Sequence, residues 1–559
     1  MEKVMRWEAH YPKEIPFTIE YDNIPLYSFL EDAAIRFGEK KALHFMGKDL
    51  TYLEVYNEAK KIANYLQGLG LKKGDRVAIM LPNCPQTVIS YYGALMAGGI
   101  VVLTNPLYKE RELEYQMLDS GAEYIICLDI LVPRVTSVRN NTSLKHVIVT
   151  GIKDYLPFPK NMIYPFIQKK EYNMVIKVEQ SDTTHIWKNM LKQASADKKE
   201  ININPEEDLA LLQYTGGTTG HPKGVMLTHY NLVSNAQMCD AWIYKTEQEK
   251  ETVLGVLPLF HVYGLTTLMN LTIMRGSKLI LLPKFDAKEV LQTIDKLKPT
   301  LFPGAPTIYV GLLNHPDLEK YDLSSIEACI SGSAPLPVEV QQSFEKITGG
   351  KLVEGYGLTE SSPVTHANFI WDKRVNGSIG VPWPDTDAKI YKTGTEEEAE
   401  IGEVGEIVVK GPQVMKGYWN NEEETANTLR DGWLFTGDLG YMDEEGYFYV
   451  VDRSKDIIIA GGYNIYPREV EEVLYEHEGI QEAVVVGIPD PYRGETVKAY
   501  IVPKEGHTLN KDELNTYCRN NLAAFKVPRA YEFRDELPKT TVGKILRRQL
   551  VDEEKAKNE

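Results

Sequence analysis

Cysteine is scarce in this chain and never clustered: Cys84, Cys127, Cys239, Cys329 and Cys518 are the five, with no C-x-x-C pair. That argues against a disulfide framework or a cysteine zinc site and fits a reducing compartment. Excess positive charge is missing as well. Lys and Arg number 62 against 79 Asp and Glu, a net charge of −17, so no broad electrostatic surface for nucleic acid is expected. The first residues, MEKVMRWEAHYPKEIPFTIEYD, lack the apolar centre of a signal peptide. One uncharged run, Val253 to Met274, is long enough to cross a bilayer. Pro258, His261, Gly255 and Gly264 interrupt it and KLILLPKF follows almost at once, so a buried strand, a loop and a core helix are expected instead. Internal repeats, heptads and low-complexity tracts are also absent. A cytoplasmic location is expected, with peripheral contact at a membrane left open.

What is present is an ordinary globular balance, 43% apolar and 25% charged residues over 559 positions, enough for several domains. Through the first 380 residues or so, apolar β-rich runs alternate with helical patterns. RVAIMLPN, GIVVLTNP, AEYIICLD, ALLQYTGG, TVLGVLPL and KLILLPKF read as strands; PQTVISYYGALMAGG, RELEYQMLDSG, HYNLVSNAQMCDAW and AKEVLQTIDKLKP read as helices. Strands without polar alternation are buried on both faces, and helices between them supply parallel crossovers. The fold class is therefore α/β, with more than one sheet. From about Thr136 to Glu206 the pattern weakens into polar, Lys-rich sequence, expected to be a surface insertion. From Gly377 to Val451 short β-runs and turns suggest a small β-rich subdomain, and EEEAE at Glu396 to Glu400 reads as a solvated turn. After DRSKD, Asp452 to Asp456, mixed helix and strand patterns predict a small α+β domain with its own core. The expected division is 1–451, a connection at 452–456, and 457–559.

The stretch YTGGTTGHPKG, Tyr214 to Gly224, has the composition of a phosphate-holding loop. An apolar strand precedes it and a helix follows; glycines let N–H groups turn towards an anion, threonines add hydroxyl donors, and Lys223 adds a mobile charge. It departs from the Walker pattern because Gly224, not Ser or Thr, follows the lysine. A Gly-rich connection without a ligand remains the alternative at this point.

Together with LPLFHVYGL, SGSAPL, EGYGLTE, WLFTGDLG, VDRSKDIIIAGGYNIYPREVE and LPKTTVGKILRR, in that order, the loop closely resembles the adenylate-forming superfamily of acyl-CoA synthetases, luciferases and peptide-synthetase adenylation domains. The resemblance runs from about Gln213 to Arg548. It implies a large N-terminal domain, a small mobile C-terminal one, and a two-step reaction. A carboxylate attacks the α-phosphate of ATP to give acyl-AMP and pyrophosphate; a thiol, usually that of CoA, then displaces AMP. Mg²⁺ and preorganised donors would stabilise the phosphate charge.

By that resemblance, Thr215, Gly216, Gly217, Thr218, Thr219, Gly220 and Lys223 hold the β- and γ-phosphates. Gly332, Ser333 and Ala334 line the adenine pocket, and Glu354, Gly355, Tyr356 and Gly357 continue the nucleotide site, with Tyr356 stacking on adenine. Thr359 touches phosphate, and Glu360, with Thr215, is the expected Mg²⁺ ligand. Asp438 accepts from the ribose hydroxyls and Arg453 is a second ribose contact. Lys544 matches the catalytic lysine that reaches carboxylate and α-phosphate. Taken alone, KILRR would read as a solvated basic segment. Lys455 matches the hinge pivot about which the small domain rotates, presenting Gly461, Gly462, Tyr463 and Asn464 to CoA.

His261 matches a gate residue beside the carboxylate, with Tyr263, Gly264 and Leu265 near the acyl entrance. By itself a histidine in an apolar run would be a core residue. No carboxylate in this stretch could pair with an amino acid's ammonium. The whole pattern looks most like bacterial long-chain fatty-acid–CoA ligases, except that Leu265 stands where some carry a bulky Trp gate. A medium-chain or aromatic acid, a carrier-protein thiol as acceptor, or a non-catalytic acyl- or nucleotide-binding protein are the alternatives. The expected partners are the small molecules fatty acid, ATP and CoA.

Overall fold

Aliphatic runs such as RVAIM and YIICL form strands buried on both faces of a twisted sheet, as their lack of polar alternation requires. In the computed structural model, which describes residues 5–172, 174, 176–215, 222–460, 463–490, 492–541 and 543–558, this sheet has eight strands. Their order is Gly417–Tyr418, Lys223–Thr228, Leu209–Thr215, Ile100–Leu103, Arg76–Met80, Tyr124–Leu128, His146–Thr150 and Thr184–Ile186. From Leu209–Thr215 to Thr184–Ile186 every pairing is parallel, and helices such as Pro85–Met96 and Glu110–Ser120 cross between strands.

The expected surface insertion at 136–206 is corrected here. His146–Thr150 and Thr184–Ile186 extend the main sheet, and Trp187 is fully buried, its indole N–H donating to the Tyr155 hydroxyl at 3.1 Å. These strands are five and three residues long, too short to stand out against the Lys-rich sequence around them.

A second sheet runs Thr252–Gly255, Lys278–Leu281, Lys41–Phe45, Lys48–Thr51. Isolated bridges through Leu301 connect it to Ala328–Ser331, Lys351–Gly357, Val364–Ala367 and Val381–Pro382. The uncharged run from Val253 resolves as expected: the strand Thr252–Gly255, a loop, then continuous helix from Val262 to Met274 with a wide π-turn over Leu265–Asn270. Among the described residues no helix is long and apolar enough to cross a membrane.

The β-rich region pairs Asp387–Tyr391, Gly405–Lys410, Trp433–Met442 and Leu429–Arg430, with Phe448–Arg453 added against Trp433–Met442. Beyond the turn at 454–456, strands Ile458–Ala460, Tyr463–Ile465, Ile480–Asp490, Gly494–Pro503 and Ala530–Phe533 carry helices Pro467–Tyr475, Lys511–Asn521 and Arg547–Asn558. Buried apolar side chains from Trp7 to Phe448 form one cluster, while those from Ile458 to Leu550 form two others. No buried apolar residue between Tyr447–Phe448 and Ile458 bridges them.

Candidate active site

The corner expected to hold phosphate forms where Leu209–Thr215 and Lys223–Thr228 pair antiparallel, with Thr215 opposite Lys223. Gly216, Gly217, Thr218, Thr219 and Gly220 lie outside the described residues. The Lys223 ammonium pairs with the Glu424 carboxylate and stands 5.3 Å from the centre of the Tyr418 ring. Tyr418 in turn donates its hydroxyl to Glu360 Oε1 at 2.8 Å. One short segment therefore links Lys223 to Glu360. It is held by Trp419 N–H donating to the Gly224 carbonyl (2.7 Å) and Tyr418 N–H donating to Thr425 Oγ1 (2.9 Å).

Tyr418 and Glu424 were not among the expected site residues. The sequence did carry one signal, Asn421 followed three residues later by Glu424, a helix N-cap signature; Asn421 Oδ1 does accept from Glu424 N–H at 3.1 Å. Which cation that glutamate meets is set by tertiary pairing. Glu360 is half-buried and has its second oxygen beyond the Tyr418 bond. A carboxylate with the Thr215 hydroxyl suits Mg²⁺, a hard cation that takes few protein oxygens and completes its shell with phosphate and water.

On the nucleoside side, strand pairing sets Asp438 opposite Arg453. Asp438 is buried, and its two oxygens are engaged separately: Oδ2 accepts from the Tyr356 hydroxyl at 2.6 Å, Oδ1 from Arg453 Nε at 3.0 Å. The Asp438 charge raises Arg453 above its ordinary range. Tyr356 is thereby held by its hydroxyl, with its ring centre 5.8 Å from that of His366 in an edge-to-face arrangement. Gly332 N–H donates to the Gly304 carbonyl (3.1 Å), and Ser333, next to Ala334, has φ 71°. Gly355 and Gly357 pair with Ala367 and Val364, and Thr359 is buried in the turn that follows. Glu354 differs from expectation. Its carboxylate accepts from Leu336 N–H at 3.3 Å and lies 3.7 Å from Arg468 Nη2 of the C-terminal region. Burial pushes it up to about 7, against the pull of Arg468.

Lys544 reaches this site from the other end of the chain. Its loop is closed by Thr540 N–H donating to the Lys544 carbonyl (2.7 Å) and Lys544 N–H donating to Thr540 Oγ1 (3.1 Å). Gly543 within it has φ +82°, and a Cβ there would sit 2.1 Å from Thr307 Oγ1. The Lys544 side chain keeps solvent contact. Crowding by protein, then the Arg453 charge, lowers its ammonium to about 8, opposed by Asp438. His261 is held neutral at about 4 by burial and by the Lys544 charge. Its Nδ1 accepts from Tyr263 N–H at 3.3 Å, which leaves the proton on Nε2. Ion pairs hold this arrangement. Asp452 Oδ2 accepts from Arg468 N–H at 2.9 Å, and Arg547 lies 3.6 Å from Asp452, 3.5 Å from Asp456 and 2.5 Å from Glu471.

The residues expected to serve CoA and rotation sit apart. Lys455 is exposed in the turn, and Tyr463 and Asn464 are exposed in a hairpin, with Tyr463 stacked 4.7 Å from Phe525. Gly461 and Gly462 lie outside the described residues. Asp452 and Arg453, expected within the connection, are still paired in the β-rich sheet.

The residues expected at an acyl entrance are packed. Tyr263 donates its hydroxyl to the Ile330 carbonyl (2.7 Å), and its ring lies 3.0 Å from where a Gly332 Cβ would be. A Cβ on Gly264 would meet the Pro258 carbonyl oxygen at 2.4 Å, and Leu265 is fully buried. The structure brings His261 to Lys544 but leaves Gly264 and Leu265 in the core of the π-turn helix, so acyl access there needs that helix to move.

Residues 30–419 match the model of the AMP-binding enzyme family and residues 469–544 that of the AMP-binding enzyme C-terminal domain. A long-chain-fatty-acid–CoA ligase of Bacillus subtilis is 61% identical over 555 residues, covering 99% of each chain. One of Salmonella typhimurium is 41% identical over 564 residues, covering 100% of this chain and 99% of the other. Among solved structures, the anthranilate CoA ligase AuaEII in complex with anthranoyl-AMP superposes with TM-score 0.85 at 29% identity, covering 98% and 99% of the two chains.

Proposed function

The chain belongs to the AMP-binding enzyme family, and from that premise we propose that it is an ATP-dependent long-chain fatty-acid–CoA ligase. Its full-length likeness to ligases of that name supports the acid class. The observation that carries the mechanism is the convergence of Lys544, Arg453, Asp438 and His261 from distant parts of the chain.

In the first half-reaction a carboxylate oxygen attacks the α-phosphorus of ATP and pyrophosphate leaves. The two reactants are both anions, so the site must supply positive charge where they meet. Lys544 does this beside Arg453 and Asp438, and Lys223 does it at the pyrophosphate end. Asp438 takes the ribose hydroxyls after exchanging part of its present bonding to Tyr356 and Arg453. His261, neutral with its proton on Nε2, orients the carboxylate and does not transfer a proton. Mg²⁺ held by Glu360, with Thr215, supplies charge neutralisation on the phosphates when bound. Tyr418 keeps the Glu360 carboxylate aimed, and Glu424 keeps Lys223 at the corner until phosphate displaces it.

In the second half-reaction the CoA sulfur attacks the acyl carbonyl and AMP leaves with the oxygen that came from the acid. Residues 1–451, with Asp452 and Arg453 paired to them, act as the nucleotide- and acid-binding domain, the turn at 454–456 as the hinge, and 457–559 as the mobile domain. Rotation at the turn of Lys455 withdraws Lys544 and brings the segment around Tyr463 and Asn464 to the thiol. The test is pyrophosphate release from ATP across a panel of acids, with and without CoA. Palmitate- or oleate-dependent release with acyl-CoA formation is expected; preference for benzoate or hexanoate refutes the acid class, and no release with any acid refutes the reaction.

A further inference from the structure

A surface helix normally turns its apolar stripe towards the protein. The helix Lys160–Tyr172, KNMIYPFIQKKEY, does the reverse. Its inward side is anchored by Tyr164, packed partly buried against the core, and by Gln168, buried and donating to Asp129 Oδ1 at 3.1 Å. Its outward side is apolar: Met162 is 65% exposed and Phe166 75%, with Ile163 and Ile167 beside them about half exposed, and Phe158 just before the helix is 78% exposed. Positions 162, 163, 166 and 167 fall on one helical face. Monomeric proteins rarely leave such a contiguous apolar ridge in water without a use for it.

Lys160, Lys169 and Lys170 are exposed on the same helix; the Lys160 ammonium also donates to the Met46 carbonyl at 2.9 Å. A local lysine cluster on a chain of net charge −17 is a departure from its surroundings. Aromatic and aliphatic side chains along a helix, with lysines whose stems can reach up to headgroups, are the make-up of helices that lie in a membrane interface.

We propose that the helix Lys160–Tyr172, together with Phe158, docks this protein on the surface of an anionic lipid bilayer. Phe158 and Phe166 enter the acyl-chain boundary and the lysines meet the headgroup charge, each lysine contributing about fivefold in partitioning. Only the purpose rests on the ligase reading, since a long-chain acid is drawn from lipid; the docking geometry stands without it.

The experiment is flotation of the full-length protein, free of ATP, acid and CoA, with phosphatidylcholine vesicles and with vesicles also holding about one third phosphatidylglycerol. The native protein is expected to float with the anionic vesicles, much less with phosphatidylcholine alone, and less as salt rises. The F158S/F166S pair should lower partitioning about tenfold or more, F158L/F166L should retain it, and K169E/K170E should weaken it on anionic vesicles only. Acyl-AMP formation from a short, water-soluble acid checks that each variant is folded; should the serine pair unfold, the lysine pair decides. No flotation of the native protein, or serine and lysine variants floating as it does, overturns the proposal. So does loss of a native dimer in the serine pair by sedimentation, which would assign the ridge to a second copy of this chain.

Discussion

Gly543→Ala separates the two half-reactions, because one of its two costs exists only while Lys544 lies over the site. The first cost is conformational. Gly543 has φ +82°, and an alanine held there loses roughly 1–2 kcal/mol wherever the loop keeps that shape. The second is steric. The new Cβ would sit 2.1 Å from Thr307 Oγ1 and 3.3 Å from Thr307 Cβ, and displacing the threonine or the loop costs about 1–3 kcal/mol. Thr307 belongs to the helix Pro306–Leu313 of the large domain, so rotation of the small domain removes this second cost. Acyl-AMP formation should fall roughly five- to a hundredfold beyond any loss in thioester formation from supplied acyl-AMP. Adding Thr307→Ala removes Oγ1 and leaves a 3.3 Å approach to Cβ that a shift of a few tenths of an ångström relieves, so the double variant should recover most of the steric share. Single-turnover measurement of each half-reaction reads both effects. Equal losses in the two half-reactions, or no recovery with Thr307→Ala, would refute the assignment of this contact to the adenylation arrangement.

Lys544→Ala should lower acyl-AMP formation by about 10²–10³ or more and spare thioester formation from supplied acyl-AMP; equal loss of both would count against its role. The Lys544 ammonium is depressed to about 8, so its charge is present below that pH and lost above it. kcat/KM for adenylation should therefore decline as pH rises through about 8, and the residual activity of Lys544→Arg should lack that limb; a limb that persists in the arginine variant belongs to another group. Lys455→Pro should slow the thioester step more than adenylation, and a variant with both steps unchanged would remove the hinge from that turn. Tyr418→Phe breaks the 2.8 Å bond to Glu360, and loss of a hydrogen bond to a carboxylate is worth about 1.5–3 kcal/mol. It should raise the Mg²⁺ concentration needed for half-maximal adenylation; an unchanged requirement would separate Tyr418 from metal binding.

Much of the fold could be read from uninterrupted aliphatic strands, because burial on both faces leaves a strong local signature. His146–Thr150 and Thr184–Ile186 escaped because strands of five and three residues carry too little pattern to rise above flanking lysines. The ordered motifs located Lys223, Glu360, Asp438, Arg453 and Lys544, and the structure brings Asp438, Arg453 and Lys544 within mutual electrostatic reach. Tyr418 and Glu424 were hidden because their partners, Glu360 and Lys223, are distant in sequence and meet them only through the pairing of Gly417–Tyr418 with Lys223–Thr228. The partner of Glu354 was hidden for a similar reason. Its carboxylate lies against Arg468, a residue more than a hundred positions away that no local pattern connects to it.

Isotope transfer tests the central claim most directly. Palmitate labelled with oxygen-18 in its carboxylate, turned over with ATP, Mg²⁺ and CoA, should deliver label to AMP and none to pyrophosphate, because the attacking carboxylate oxygen stays on the α-phosphorus when the thiol takes the acyl group. Label in pyrophosphate, or formation of ADP with label in inorganic phosphate, would contradict attack at the α-phosphate and with it the roles given to Lys223 and Lys544.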